Sequence, residues 1–349
     1  PRSPSDQQKA FKLPPGFKIE LVASEPEIAK PMNLAFDVEG RLWVTDSYEY
    51  PYAAPLDQPG RDSIKVLTDT NGDGRYDKID TFAEGLNIPI GLYPYKNGVI
   101  AWSIPNITYF EDSDHDGRSD RQTHLFGPLG YERDTHGMNS SFTRGFDGWL
   151  YITHGFNNNT TIAGSDGHTF SMNSGNTYRV RLDGSRAEPF TFGQVNPFGM
   201  TLDSLGNLYT SDCHSMPAYL LIRDAYYPSF GKPHDGLGFC PKIMSHSHGS
   251  TAIDGVVYYP DDQWPAEYQD NVFIGNVMTS RVNRDTLIEV GSGKQAREEK
   301  DFIESQDSWF RPVNMQFGPD GSLYIADFYN RIIGHYEVRL DHPGRDRHR

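Results

Sequence analysis

Apolar and polar residues alternate along this chain in short bursts, and one phrase recurs six times. Each copy has an apolar stretch, a turn carrying glycine, asparagine or aspartate, and a second alternating stretch that closes on a polar residue. The copies read MNLAFDVEGRLWVTDS from Met32, IGLYPYKNGVIAWSI from Ile90, SSFTRGFDGWLYITHG from Ser140, NPFGMTLDSLGNLYTSD from Asn196, DGVVYYPDDQWPAEYQDNVFIGNV from Asp254 and RPVNMQFGPDGSLYIADF from Arg311. Period-two alternation broken by such turns predicts a β-hairpin. The matching positions Leu42, Ile100, Leu150, Leu208, Val272 and Leu323 fall some 50–60 residues apart. Six units built almost wholly of strand predict an all-β fold, a six-bladed β-propeller. No linker rich in Ser or Gly interrupts it, so residues 1–349 read as a single domain. A ring of sheets must hide its edges. FKIELVA (17–23) beside RIIGHYEV (331–338) is the expected clasp, an N-terminal strand completing the last blade.

The same alternation nominates a ring of side chains. Four residues beyond each matching position stand Asp46, Ile104, His154, Asp212, Asn276 and Asp327. All but Ile104 are polar, at the ends of apolar strands where charge is usually avoided. If these strands converge on the channel, the ring suits a metal or a hydroxyl-rich ligand. Asp and Asn also favour strand ends as turn formers, and both readings stay open. Histidines form a second signal. His136, His214, His234, His246 and His248 lie in DTHGMNSS, SDCHSMP, GKPHDGLGF and SHSHGST, connections rich in Gly, Ser and Pro. Loops on a rigid scaffold carry function, and imidazole is the usual base near neutral pH. His-Ser-His sets two imidazoles on one side of an extended chain, as a metal clamp would.

Two stretches carry a calcium-loop pattern between strands rather than helices. In DTNGDGRYDKID the ligand positions fall on Asp69, Asn71, Asp73, the carbonyl of Arg75, Asp77 through water, and Asp80 at position 12. DSDHDGRSD repeats it with Asp112, Asp114, Asp116, Arg118 and Asp120, but position 12 is Thr123, a less complete cage. Strand-like flanks place both loops at the tips of outer hairpins on the first two blades. A structural calcium would cancel carboxylate repulsion there; the alternative is two polar turns without a metal.

Composition narrows the partners. The net charge of −15 argues against nucleic acid, whose phosphates need a basic surface. Glycine (34) and proline (24) are plentiful, which suits many short strands and turns. No apolar run is long enough to span a membrane as a helix. The chain begins at Pro1, pointing to a processed or excised product, and calcium loops fit a periplasmic or secreted protein. Only Cys213 and Cys240 are present, and sequence does not say whether they pair.

Several stretches resemble a known family. LPPGFKIELVASEPEIAKPMNLAFD, DTNGDGRYDKIDTFAEGLN, GQVNPFGMTLD, AYYPSFGKPHDGLGF, HSHGSTAIDGVVYYPDDQWPAEY and WFRPVNMQFGPDGSLYIADFYNRIIGHYEV are similar to the N-terminal propeller of membrane-bound dehydrogenase-like proteins of Planctomycetes and Verrucomicrobia. The resemblance implies a longer protein with a helical-repeat region and a cytochrome c module bearing a CxxCH haem site. This chain has no CxxCH, and HPGRDRHR looks like a cut before further sequence. More distantly the chain resembles soluble quinoprotein glucose and sorbosone dehydrogenases, which implies pyrroloquinoline quinone over the channel with calcium nearby. By that likeness His136 inherits the role of catalytic base, while Asn196 and Arg311 inherit cofactor contacts. Val195 stands where the family has arginine, and Trp309 also departs from its pattern.

Three functions follow as expectations. The first is an oxidoreductase acting on a sugar or polyol, with electrons passing to a haem module elsewhere. The second is a metal-dependent hydrolase, lactonase or lyase using the ring of Asp46, His154, Asp212, Asn276 and Asp327. The third is a non-catalytic propeller binding glycan or protein through Tyr226, Tyr227, Phe230 and Trp309.

Overall fold

The structure, a computed structural model, describes residues 1–250 and 252–333. Each recurring phrase forms the first two strands of one antiparallel sheet. The first sheet orders Lys30–Phe36, Leu42–Ser47, Asp62–Thr68 and Lys78–Leu86. The second orders Leu92–Tyr95, Gly98–Ser103, Asn106–Glu111 and Arg121–Phe126. The third holds Asn139–Arg144, Leu150–His154, Asn176–Val180 and Ala187–Phe192, with a separate hairpin, Asn159–Ala163 and Thr169–Asn173, inserted after its second strand. The fourth has Asn196–Leu202, Leu208–Cys213 and Tyr219–Leu221. The fifth begins Ile253–Tyr258, Asn271–Asn276 and Arg281–Val290. The sixth shows Pro312–Phe317 and Leu323–Asp327.

The first strand of every sheet packs against the first strands of its two neighbours, and the sixth returns to the first. These six strands therefore line the axis of an all-β propeller. Side chains stitch the blades together: Leu34 N–H donates to Asn314 Oδ1 (3.1 Å), Gly199 N–H to Ser141 Oγ (2.6 Å) and Tyr258 N–H to Thr201 Oγ1 (3.0 Å). An innermost strand is an edge strand, which is why it tolerates proline, a residue without an N–H. Pro31, Pro197 and Pro312 each occupy the second or first position of one. Pairing slips just beyond them, at Pro31/Asn33, Pro197/Met200 and Pro312/Asn314. Bulges there add local twist and splay the strand where the loops of one face begin.

Apolar clusters fill the spaces between sheets. Trp102, Tyr178, Tyr209, Phe273 and Phe310 are fully buried within them. Burying one such side chain contributes about 2–3 kcal/mol, so the aromatic content serves packing first.

Most of the partner expected for the clasp, 331–338, lies outside the described residues, as does 342–349. Ahead of the expected strand, Phe11–Lys12 pairs with Ile303–Ser305 at the outer edge of the fifth sheet. Leu13, Pro14 and Pro15 follow, and the prolines stop that ladder. No helix among the described residues is long and apolar enough to cross a membrane.

Candidate functional site

The polar ring sits on the second strand of each sheet, one removed from the axis, and its members serve their own blades. Asp212 accepts from Val195 N–H (3.0 Å), Asn196 N–H (2.7 Å) and the Ser215 hydroxyl. Asp46 accepts from Ala29 N–H (2.6 Å), and Asp327 from Arg311 N–H (2.8 Å) and Tyr329 N–H (3.0 Å). In each case the carboxylate fastens the loop that leads into the innermost strand. Asn276 Nδ2 does similar work on the carbonyl of His248 (3.2 Å). His154 bridges the Ser174 carbonyl and the Thr160 hydroxyl, both at 2.8 Å, and burial pushes its pKa down to about 4. A neutral imidazole with both nitrogens engaged is neither base nor ligand. The ring expected to share one metal is therefore a set of separate loop staples. The metal-capable groups among the described residues include none of its members.

Two other loops, held by Asp62 and Asp134, meet across the propeller at Tyr50 and His136. Asp62 accepts from Tyr48 N–H (2.6 Å), Glu49 N–H (2.9 Å), Ile88 N–H (2.7 Å) and Ser47 Oγ (2.9 Å), fixing the loop that carries Tyr50. Asp134 accepts from His136 N–H (2.7 Å), and Asn158 Nδ2 donates to the carbonyls of Asp134 (2.6 Å) and Gly137 (3.0 Å). The Tyr50 hydroxyl meets His136 Nδ1, and the Thr135 hydroxyl donates to the Pro51 carbonyl. Tyr50 also sets its ring edge-on to Phe328 (5.5 Å), over which the Lys30 ammonium lies at 5.7 Å. Tyr50 thus joins the first, third and sixth blades, which are not all neighbours. Sequence reasoning names His136 and passes over its neighbours Tyr50 and Lys30; Tyr50 hides in SYEYPY, where three aromatics look alike.

Asn196 stands beside this center. Its Oδ1 accepts from Phe156 N–H (3.0 Å), and the Gly137 and Gly155 backbones close on it. A Cβ on Gly155 would lie 2.4 Å from that oxygen and 2.6 Å from the Gly137 Cα, so only glycine fits. Next to Asn196 opens a depression of about 480 Å³ lined in part by Val195, His214, Ser215, Phe230, Lys232 and His234. The structure brings His214 and His234 together here, apart from His246 and His248. Phe230 is 67% exposed, whereas Tyr227 is buried, Tyr226 stacks on Phe192 and Trp309 packs by Tyr329. Of the four expected stacking aromatics, Phe230 alone faces outward on this depression.

The Arg311 guanidinium is turned to backbone carbonyls. It donates to those of Asn330 (3.0 Å), Arg331 (2.6 Å) and Val277. On the innermost strand of the fifth sheet stands Asp254, which sequence reasoning passes over. Burial pushes its pKa up to about 7 against the opposing charge of Arg311. Its Oδ2 has no hydrogen-bond partner among the described residues.

His246 and His248 meet elsewhere, between the fourth and fifth blades, where the Nε2 atom of each ring lies within hydrogen-bond distance of Asp285. Cys213 and Cys240 are free thiols.

Both acidic loops cap outer hairpins, between Asp62–Thr68 and Lys78–Leu86 and between Asn106–Glu111 and Arg121–Phe126. Their internal bonds are equivalent. Asp69 accepts from Gly72 and Gly74 N–H and Asp112 from Asp116 and Gly117 N–H. Asp77 reaches back to Thr70, and Asp120 to Ser113. Asp80 instead pairs with Lys78 on the strand beyond (2.7 Å). In each loop the carboxylate at the ninth position ties the turn together, while the twelfth position of the first already lies on the following strand. The carboxylates of Asp112, Asp114 and Asp116 lie within 4.8 Å of one another. Calcium at these loops is expected to raise Tm by about 5 °C over chelator-treated protein. The gain should shrink in Asp73→Ala and Asp116→Ala; an equal gain in a variant lacking both acids would mean that calcium acts elsewhere.

Fold and site together define a six-sheeted propeller whose loops converge over one mouth. The chain belongs to the family described as Domain of unknown function (DUF7133), whose model matches residues 3–348. No curated protein matches it. Its fold is shared by the PQQ-bound aldose sugar dehydrogenase of Streptomyces coelicolor, 17% identical, covering 92% of each chain at a TM-score of 0.59. A proposed oxidoreductase (glucose dehydrogenase) of Thermus thermophilus is 16% identical, covering 87% of this chain and 92% of that one, at 0.58. A streptogramin B lyase is 12% identical, covering 93% and 97%, at 0.50.

Tested against these side chains, pyrroloquinoline quinone fits poorly. Three carboxylates call for presented cations. Val195 offers none, Arg311 is spent on carbonyls, Arg281 pairs with Asp301, and Lys232 donates to the Asn173 carbonyl (2.8 Å).

Proposed function

We propose that this propeller is an exported oxidoreductase that oxidises a hydroxyl group of a sugar or polyol at its mouth. The observation that carries the reading is the meeting of Tyr50 and His136 over the axis, on loops tied down by Asp62 and Asp134. In the tautomer whose Nδ1–H donates to the Tyr50 oxygen, Nε2 carries the lone pair that takes the substrate's hydroxyl proton. The depression beside Asn196 offers hydroxyl and imidazole groups to a neutral, hydroxyl-rich ligand, with Phe230 as a stacking face. The sugar dehydrogenases that share this fold favour the same substrate class. The resemblance to the Planctomycetes and Verrucomicrobia proteins adds a haem module in a longer chain as onward electron acceptor, and calcium as a structural ion. His136 takes only the hydroxyl proton; the hydride on the same carbon would pass to a bound two-electron cofactor of the quinone, flavin or nicotinamide class, which would then hand its electrons to the haem module.

The test is a screen of aldoses and polyols with a reducible dye, each with calcium and with quinone, flavin or nicotinamide added in turn. One cofactor should support turnover on one sugar class. Failure of every combination, together with no binding of sugars by calorimetry, ends the catalytic reading.

A further inference from the structure

We propose that His246, His248 and Asp285 form a binding site for a transition-metal ion of the zinc class, clasping the 222–252 connection onto the fifth blade. This inference is independent of the chemistry at the mouth.

The connection runs from the fourth sheet to the fifth through the space between them. Ile243 and Met244 anchor it in the apolar cluster with Val272, Ile274 and Leu287, and Ala296 N–H donates to the Ile243 carbonyl (2.6 Å). Two and four residues after Met244 come the histidines. They reach the third strand of the fifth sheet, where Asp285 lies opposite Val272. His246 Nε2 stands 2.6 Å from Asp285 Oδ1, and His248 Nε2 stands 2.7 Å from Oδ2. The rings cross at 81°, with centroids 4.7 Å apart. Asp285 and the His248 side chain are almost wholly buried, and His246 is 19% exposed.

The charges define what belongs in the middle. A buried carboxylate this close to two imidazole nitrogens needs positive charge between them: a proton on each nitrogen, or one shared metal ion. At His248 the far nitrogen has its own acceptor: Nδ1 stands 3.3 Å from Glu298 Oε1. In the neutral ring with its proton on Nδ1, the Nε2 lone pair is aimed at Asp285 and ready to bind a metal. One ion bonded to both Nε2 atoms and a carboxylate oxygen takes the place of the two protons, the donor atoms opening to about 3.3 Å apart. Two imidazoles and one carboxylate are a zinc-type donor set, unlike the all-oxygen loops on the first two blades. The Glu298–His248 pair is the outer carboxylate that orients such a ligand. Solvent reaches the site at His246, where water completes the tetrahedron. The sequence signal is half visible, since His-Ser-His has the form of a clamp. Its third ligand lies some forty residues on, in RVNRDTLIEV, where nothing marks one acid from others.

The experiment uses the whole chain, stripped with a strong chelator and then titrated with zinc or cobalt in excess calcium. One equivalent of zinc should bind by mass spectrometry of metal content, and cobalt should develop the intense visible absorption of a tetrahedral site. Zinc should raise Tm by several degrees. His246→Ala removes the least buried of the three ligands and should weaken zinc at least 100-fold, whereas His246→Asn, which keeps a donor for Asp285, should fold normally and lose zinc as well. Glu298→Gln should weaken it 10- to 100-fold. Uptake of no zinc, an octahedral cobalt spectrum, or undiminished binding in His246→Ala would each overturn the proposal. In those cases the cluster is a carboxylate between protonated imidazoles, and the stripped protein keeps its full Tm.

Discussion

His136→Gln is expected to lower turnover by about 10²- to 10⁴-fold on whichever sugar the screen returns. Glutamine keeps the length and polarity of the side chain but accepts no proton at neutral pH. The loss should fall on kcat, because the depression that holds the ligand is built from other residues. Tm should stay within a few degrees of wild type, since Asp134 holds this loop through the His136 N–H, which glutamine keeps. Tyr50→Phe leaves the Phe328 contact and removes only the hydroxyl on Nδ1. It should cost roughly tenfold and shift the pH profile of kcat, as loss of a positioning bond does. Unchanged kcat in His136→Gln, with substrate saturating, would remove His136 from the chemistry.

The largest loss of stability is expected from Asp62→Ala. Four donors end on this one buried carboxylate: three backbone N–H groups and the Ser47 hydroxyl. Alanine would strand them, at a cost of about 3–5 kcal/mol, or roughly 10 °C in Tm. The Tyr50 loop would loosen with them, so activity should fall too. Asp62 also enters the pH dependence. Burial raises its pKa to about 6, that of Asp327 to about 6, and those of Asp212 and Asp254 to about 7. A carboxyl whose folded pKa exceeds its unfolded value binds protons more tightly when folded. Stability is therefore gained as pH falls through 7 toward 4 and lost as pH rises. His154, pushed down to about 4, opposes this between 6.5 and 4. Four carboxyls outweigh one imidazole, so calorimetry should give a Tm several degrees higher at pH 5.5 than at pH 8. A flat profile would mean that these acids are solvated in solution.

The hairpins are legible in the sequence because alternation and turn residues are local. From Met32 to Asp327 every recurring phrase forms the first two strands of a sheet. Which of the two lines the axis is not legible. Alternation orders the faces of a strand, not the neighbours of a sheet, and so the polar strand ends look like a shared ring. Asp212 and Asp46 are conspicuous as charges on apolar strands, and a loop staple needs such a buried acid as much as a ligand does. The pairing of Phe11–Lys12 with the fifth sheet is not legible either, because two residues carry no alternation to read. Asp80 answers to a spacing that belongs to loops between helices. Here the chain turns back into a strand after Asp77, so the later residue has already left the loop.

Tyr50 has one further consequence. A wheel with a cross-brace at its hub cannot widen one spoke at a time. Opening the aperture would pull this phenol from the sixth blade or from the imidazole, and the proton acceptor would lose its seat. On the proposed reading the brace is a size gauge: single sugar rings and short chain ends would be turned over, and the interior of a bulky polymer would not.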